Sequence, residues 1–105
     1  MGFNMQKLMK QAQKMQQDMA RVQEELRNTE VEGVSGGGMV KVVANGSSEI
    51  LSISIDPEII DPDDAEMLED MVLAAVKDAL AAAAALSAEK MGAVTGGMGL
   101  PGGMF

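Results

Sequence analysis

At 105 residues the chain has room for one small domain. With two Phe and neither Trp nor Tyr, its core has to be built from aliphatic side chains and some of its 11 Met. The absence of Cys removes disulfides and thiolate metal sites, and the absence of His removes the commonest general base and transition-metal ligand, so catalysis is not expected. A net charge of −8 argues against indiscriminate adhesion to nucleic acid, although the charge is unevenly placed.

Residues 1–29 hold five basic and three acidic side chains, whereas residues 30–105 hold three basic and thirteen acidic ones. The first predicted element is a helix from about Phe3 to Asn28. Met5, Leu8, Ala12, Met15, Met19, Val22 and Leu26 recur at spacings of three and four, an unbroken heptad seam that calls for a partner helix. Lys7, Lys14 and Arg21 recur every seven residues on another face, with Lys10 beside them, and residues 1–17 contain no acid. Frequent Gln keeps the remaining outer surface polar without adding charge. Such a helix points to a binding protein.

Three strands follow. Val31–Ser35 precedes Gly36-Gly37-Gly38, a run that disfavours helix and regular ladder alike. Met39–Ala44 and Ser48–Ile55 flank Asn45-Gly46, the signature of a two-residue hairpin turn. Pairing outward from that turn sets Val42 opposite Glu49 and Val40 opposite Leu51. It gathers Val40, Val42, Ala44, Leu51, Ile53 and Ile55 on a single buried face.

Asp61-Pro62-Asp63-Asp64 reads as a helix start with Asp61 as N-cap, and the second helix is expected to reach about Lys90 or Met91. Its seam is Ala65, Leu68, Val72, Ala75, Ala79, Ala82 and Leu86, small enough to let two backbones approach closely. If the two helical seams pack together, the helices are antiparallel and the N-terminal lysines lie near Lys90 and Met91. Residues 92–105, with six Gly and one Pro, are expected to form a flexible tail after a single domain over residues 1–91. The uncharged run Ala79–Ala88 is too short to span a bilayer, and no secretory h-region opens the chain, so a soluble cytoplasmic protein without a membrane partner is expected.

The expected fold class is α+β: a long helix, a three-stranded antiparallel meander and a second long helix. Open sheet edges suggest a two-fold homodimer joined through the sheets, with the helical pairs protruding as arms.

The element order and several motifs resemble the YbaB/EbfC family of bacterial nucleoid-associated proteins. The motifs are Met5-Gln6-Lys7-Leu8-Met9-Lys10-Gln11-Ala12-Gln13-Lys14-Met15-Gln16, Val31-Glu32-Gly33, and Gly36-Gly37-Gly38-Met39-Val40-Lys41-Val42. Ile53-Ser54-Ile55-Asp56-Pro57-Glu58 and the tail with Gly96-Gly97-Met98 and Leu100-Pro101-Gly102 complete the likeness, which covers essentially the whole chain. The resemblance implies a small tweezer-shaped homodimer that binds double-stranded DNA and alters its conformation, with consequences for gene expression, in the nucleoid.

Read from pattern alone, the basic stripe is either a phosphate-contacting surface or the solvated face of a coiled-coil-like helix. The resemblance favours the first, which makes Lys7, Lys10, Lys14 and Arg21 of the stripe, with Lys90 expected beside them, the candidate DNA contacts. The scarcity of base-reading side chains on this helix predicts low sequence specificity. A protein–protein adaptor acting through its Met- and Ala-rich surfaces is the competing reading, and the acidic balance favours it. Met15 and Met19 are expected to fill the seam between the helices, and Arg27 to pair with Glu24 or Glu30. The acids Asp61, Asp63, Asp64 and Glu66 fit helix capping and lack calcium-loop spacing. No catalytic constellation, metal site, cofactor or small-molecule substrate is indicated.

Overall fold

The computed structural model describes residues 4–97. Helix α1 (Met5–Arg27) leads to strands β1 (Glu30–Ser35), β2 (Val40–Asn45) and β3 (Ile50–Ile55), and two short 3-10 turns introduce helix α2 (Ala65–Gly97). The strands form one antiparallel sheet in chain order, so the expected α+β architecture is present. The chain is elongated, 76 × 27 × 16 Å with a radius of gyration of 20.3 Å, against about 13 Å for a compact domain of similar length.

α2 crosses the sheet antiparallel to β1, over β1 and β2. Val40, Val42 and Ala44 of β2 and Ala75 and Ala79 of α2 are fully buried and form the core. Close approach is possible because Gly33 lies beneath the helix: a Cβ there would run into the backbone of Ala75 and come within 2.7 Å of Ala79 Cα. The contact is pinned at its margins. Asp78 Oδ2 accepts from the Val34 N–H at 3.0 Å, and Ser35 Oγ donates to the Met71 carbonyl at 2.6 Å. The buried stripe is therefore Ala75, Ala79 and Ala83, with Ala65 exposed and Leu68, Val72, Ala82 and Leu86 half-buried. α2 is long and apolar enough to cross a membrane on length and composition alone; its alanine stripe packs on the sheet of its own chain.

The hairpin differs from the expected register. Val42 stands opposite Ile53 and Val40 opposite Ile55, and a bulge places Ala44 opposite Ile50, leaving Leu51 without a partner. The cause is Asn45, which is buried and ends β2 instead of occupying the turn. Its Oδ1 accepts from the N–H groups of Ser47 and Glu49 at 3.0 Å, while Nδ2 donates to the Arg27 carbonyl and to Glu49 Oε1. The Gly46 N–H donates to the Leu26 carbonyl at 2.8 Å. Asn45-Gly46 thus docks the end of α1 onto the sheet, and the reversal runs through Gly46, Ser47 and Ser48, closed by the Ser48 N–H donating to the Asn45 carbonyl, with Ser48 at φ 65.

Because that register shift is an even number of residues, Ile53 and Ile55 keep the side expected of them. Ile55 packs half-buried against the core, but Ile53 is left open, because α2 lies over the other two strands. Leu51 and Ile53 are 49 and 47% exposed, and β3 contributes nothing fully buried.

The helix start is also displaced. Asp61 caps the turn Pro62–Asp64 by accepting from the Asp63 N–H, and Asp64 then caps α2 by accepting from the Met67 N–H. The three glycines at 36–38 form a tight 3-10 turn with φ of 60, 66 and 95, which explains why glycine fills each position. α2 continues to Gly97, so the first six residues expected in the tail are helical; residues 98–105 lie outside the described residues.

Candidate nucleic-acid interface

α1 is held only near its C-terminus. Val22 and Leu26 are buried, and its carbonyls at Leu26 and Arg27 receive the hydrogen bonds from Gly46 and Asn45. Towards the N-terminus the helix leaves the sheet. Its first turn is closed by Asn4, whose side chain accepts from the Lys7 N–H at 3.1 Å, and everything from Asn4 to Gln17 is exposed.

The distal part of α2 runs beside α1 in the antiparallel sense. Lys90 Nζ reaches Glu25 Oε2 at 3.4 Å, and Ala93 and Val94 line a cleft with Gln11, Lys14, Asp18 and Arg21. The two seams do not meet as expected. α2 approaches the side of α1 that carries Gln11, Lys14, Asp18 and Arg21, which leaves Leu8 and Met15 of the heptad seam 46 and 38% exposed. Met15 therefore does not fill a seam between the helices; Met19 is half-buried.

This geometry divides the five candidate contact residues. Lys7, Lys10 and Lys14 are exposed, and no ion pair to them is found among the described residues. Arg21 is held by Asp18 at 3.4 Å and Glu25 at 3.8 Å, and Lys90 shares the same Glu25. Lys90 shares the cleft with Lys14 and Arg21, whereas Lys7 and Lys10 lie farther out along α1. Arg27 pairs with Glu24 at 2.7 Å, as its position suggested.

The residues missed by sequence reasoning are Asp18 and Glu25. Their positions three before and four after Arg21 are the standard helical pairing distances and could have revealed them. The distal half thus keeps three cations with no acid, while the proximal half neutralises its own. Among the described residues no cluster of acids suited to a metal ion occurs, and of the acids at 61–66, Asp61 and Asp64 serve the caps described above.

A model of the YbaB/EbfC DNA-binding family matches residues 1–98. The chain belongs to that family. Among its relatives, a nucleoid-associated protein of Pelotomaculum thermopropionicum is 60% identical over 102 residues, covering 97% of each chain. Another, from Caldanaerobacter subterraneus subsp. tengcongensis, is 54% identical over 101 residues, covering 96% of this chain and 91% of the relative. The fold of this YbaB/EbfC member is similar to the crystal structure of an uncharacterized protein from Helicobacter pylori. That likeness has a TM-score of 0.72 at 24% identity and covers 92% of this chain and 98% of the other.

Proposed function

We propose that this YbaB/EbfC member is a nucleoid-associated protein that, as a homodimer, binds double-stranded DNA through the distal half of α1 and changes the path of the duplex. The observation that carries the reading is the set of three exposed lysines, Lys7, Lys10 and Lys14, without an ion pair among the described residues, on a projecting helix segment without an acid. Lysine ammonium groups on such a stripe suit phosphate oxygens, and phosphate contacts carry little sequence information, so binding is of low specificity. The acidic remainder of the molecule restricts DNA to this surface by repulsion. Arg21 and Lys90 contribute less, because each first gives up a carboxylate partner. The family and the names of the relatives support DNA as the ligand and the nucleoid, within the cytoplasm, as its place.

Dimerisation belongs to the same reading. β3 carries no charged residue or proline, the usual protections of a free edge. Beside it Ile55, Leu68, Val72, Leu73 and Val76 line an apolar groove, with Leu73 52% exposed. The opposite edge, β1, carries Glu30 and Glu32 and lies under α2. A second copy seated on β3 and this groove covers the larger exposed apolar surface and yields a molecule with two basic arms.

Titrating a labelled duplex at several salt concentrations tests the proposal. Six lysines per dimer at phosphate predict a log–log salt slope of about −5. Absence of binding at low salt would move the function to the protein–protein adaptor, which the exposed apolar surfaces favour.

A further inference from the structure

The basic arm carries a second surface that DNA binding leaves unused. Met5, Leu8, Ala12, Met15 and Met19 occupy the a and d positions of the heptad repeat, and Met5 is 60% exposed. Ala12, Met15, Met19 and Ala20 also line a shallow groove on α1 itself, with Gln16 and Gln23 beside them. α2 does not cover this surface, because it meets α1 on a neighbouring side.

Charge and repeat both identify the occupant. Beside the seam from Met5 to Met15, the e and g positions of the heptad are Asn4, Met9, Gln11 and Gln16, none of them charged, and the next g position, Asp18, is already paired with Arg21 of its own helix. Two copies of the helix therefore meet without like-charge repulsion in the zone that usually sets partner choice. Lys7 and Lys14 fall at position c and Lys10 at position f, so the cations stay on the outside of such a pair. Ala12, small and between Leu8 and Met15, leaves a hole for a larger knob, and the 3–4 spacing matches a helix with the same repeat.

We propose that α1 arms of separate dimers pack seam to seam over Met5–Met19, joining the protein into assemblies larger than the dimer formed at β3. The overlap is about 21 Å long. So short a coiled coil is weak alone, which makes assembly concentration-dependent. Each dimer offers two arms, so a second contact gains effective concentration once the first has formed. The inference goes beyond the DNA reading and does not depend on it.

Native mass by light scattering over a concentration series, on the full chain, tests the proposal. The expected result is a wild-type mass that rises to at least twice that of a Leu8→Glu, Met15→Glu double variant. Both side chains are exposed in the chain, and circular dichroism verifies the fold. A wild type that never exceeds the variant overturns the proposal.

Cysteine cross-linking gives an independent readout, since the chain has no cysteine of its own. Under oxidation Ala12→Cys is expected to form linked pairs at least tenfold more than Gln17→Cys on the far side of α1, and equal yields overturn the proposal. Leu73→Glu separates this inference from the β3 dimer. If only the β3 interface is wrong, Leu73→Glu leaves the mass unchanged while the seam variant still lowers it.

Discussion

The two halves of α1 follow one repeat and meet different fates. From Asp18 to Arg27 the helix is anchored: Val22 and Leu26 are buried, and Arg21 and Arg27 are held by carboxylates of the same helix. From Met5 to Gln17 the seam is bare and the segment's three lysines form no ion pair among the described residues. The lesson is that an amphipathic period marks a surface as interactive without saying whether the partner is the same molecule. Here the proximal half answers to the chain's own sheet, and the distal half stays uncovered, the surface on which the proposed contacts with DNA and with other copies rest.

The sharpest way to break this division is charge reversal in the distal half. Replacing Lys7, Lys10 and Lys14 by Glu is expected to weaken duplex binding about a thousandfold, some 4 kcal/mol, with mass and melting temperature unchanged. Fluorescence anisotropy at fixed salt measures it. A comparable loss from reversing Arg21 and Lys90 alone would erase the distinction.

Stability should show the opposite asymmetry. Leu26→Ala removes a buried anchor and is expected to cost about 3 kcal/mol in urea unfolding, whereas Met9→Ala on the distal half stays within about 0.5 kcal/mol. Asn45→Ala should follow at about 2 kcal/mol, since it leaves the Arg27 carbonyl and two turn N–H groups without their partner. The smallest effects belong to the exposed pairs: Arg21→Ala with Lys90→Ala should change stability by less than about 1 kcal/mol and DNA affinity by less than threefold. A large loss in either would mean that the proximal cations act on DNA after all.

Much of this was legible in the chain. α1 and its basic stripe follow from uninterrupted heptad spacing, and the helix–meander–helix order follows from alternation and glycine punctuation. The hairpin register was not legible. Asn45-Gly46 has the composition of a two-residue turn, but both residues bond to the end of α1, eighteen or more positions earlier in the chain. The start of α2 was misplaced for a local reason, because Asp61 and Asp64 are both competent caps and the first is used by a 3-10 turn. Gly33 gave no sign of its role, since a strand glycine looks the same whether it faces solvent or a helix backbone.

By itself the sequence determined the elements and the side chains that share a face, because backbone period is a local property. It also determined the acid-free lysine stripe and the alanine stripe of α2. Only the tertiary structure decided which faces are covered. It placed α2 over β1 and β2, left β3 open, and turned α1 so that its distal seam faces away from α2. The reason is geometric: a helix can lie on the sheet closely only where glycine and alanine let the backbones meet, and Gly33 beneath Ala75 and Ala79 provides that place.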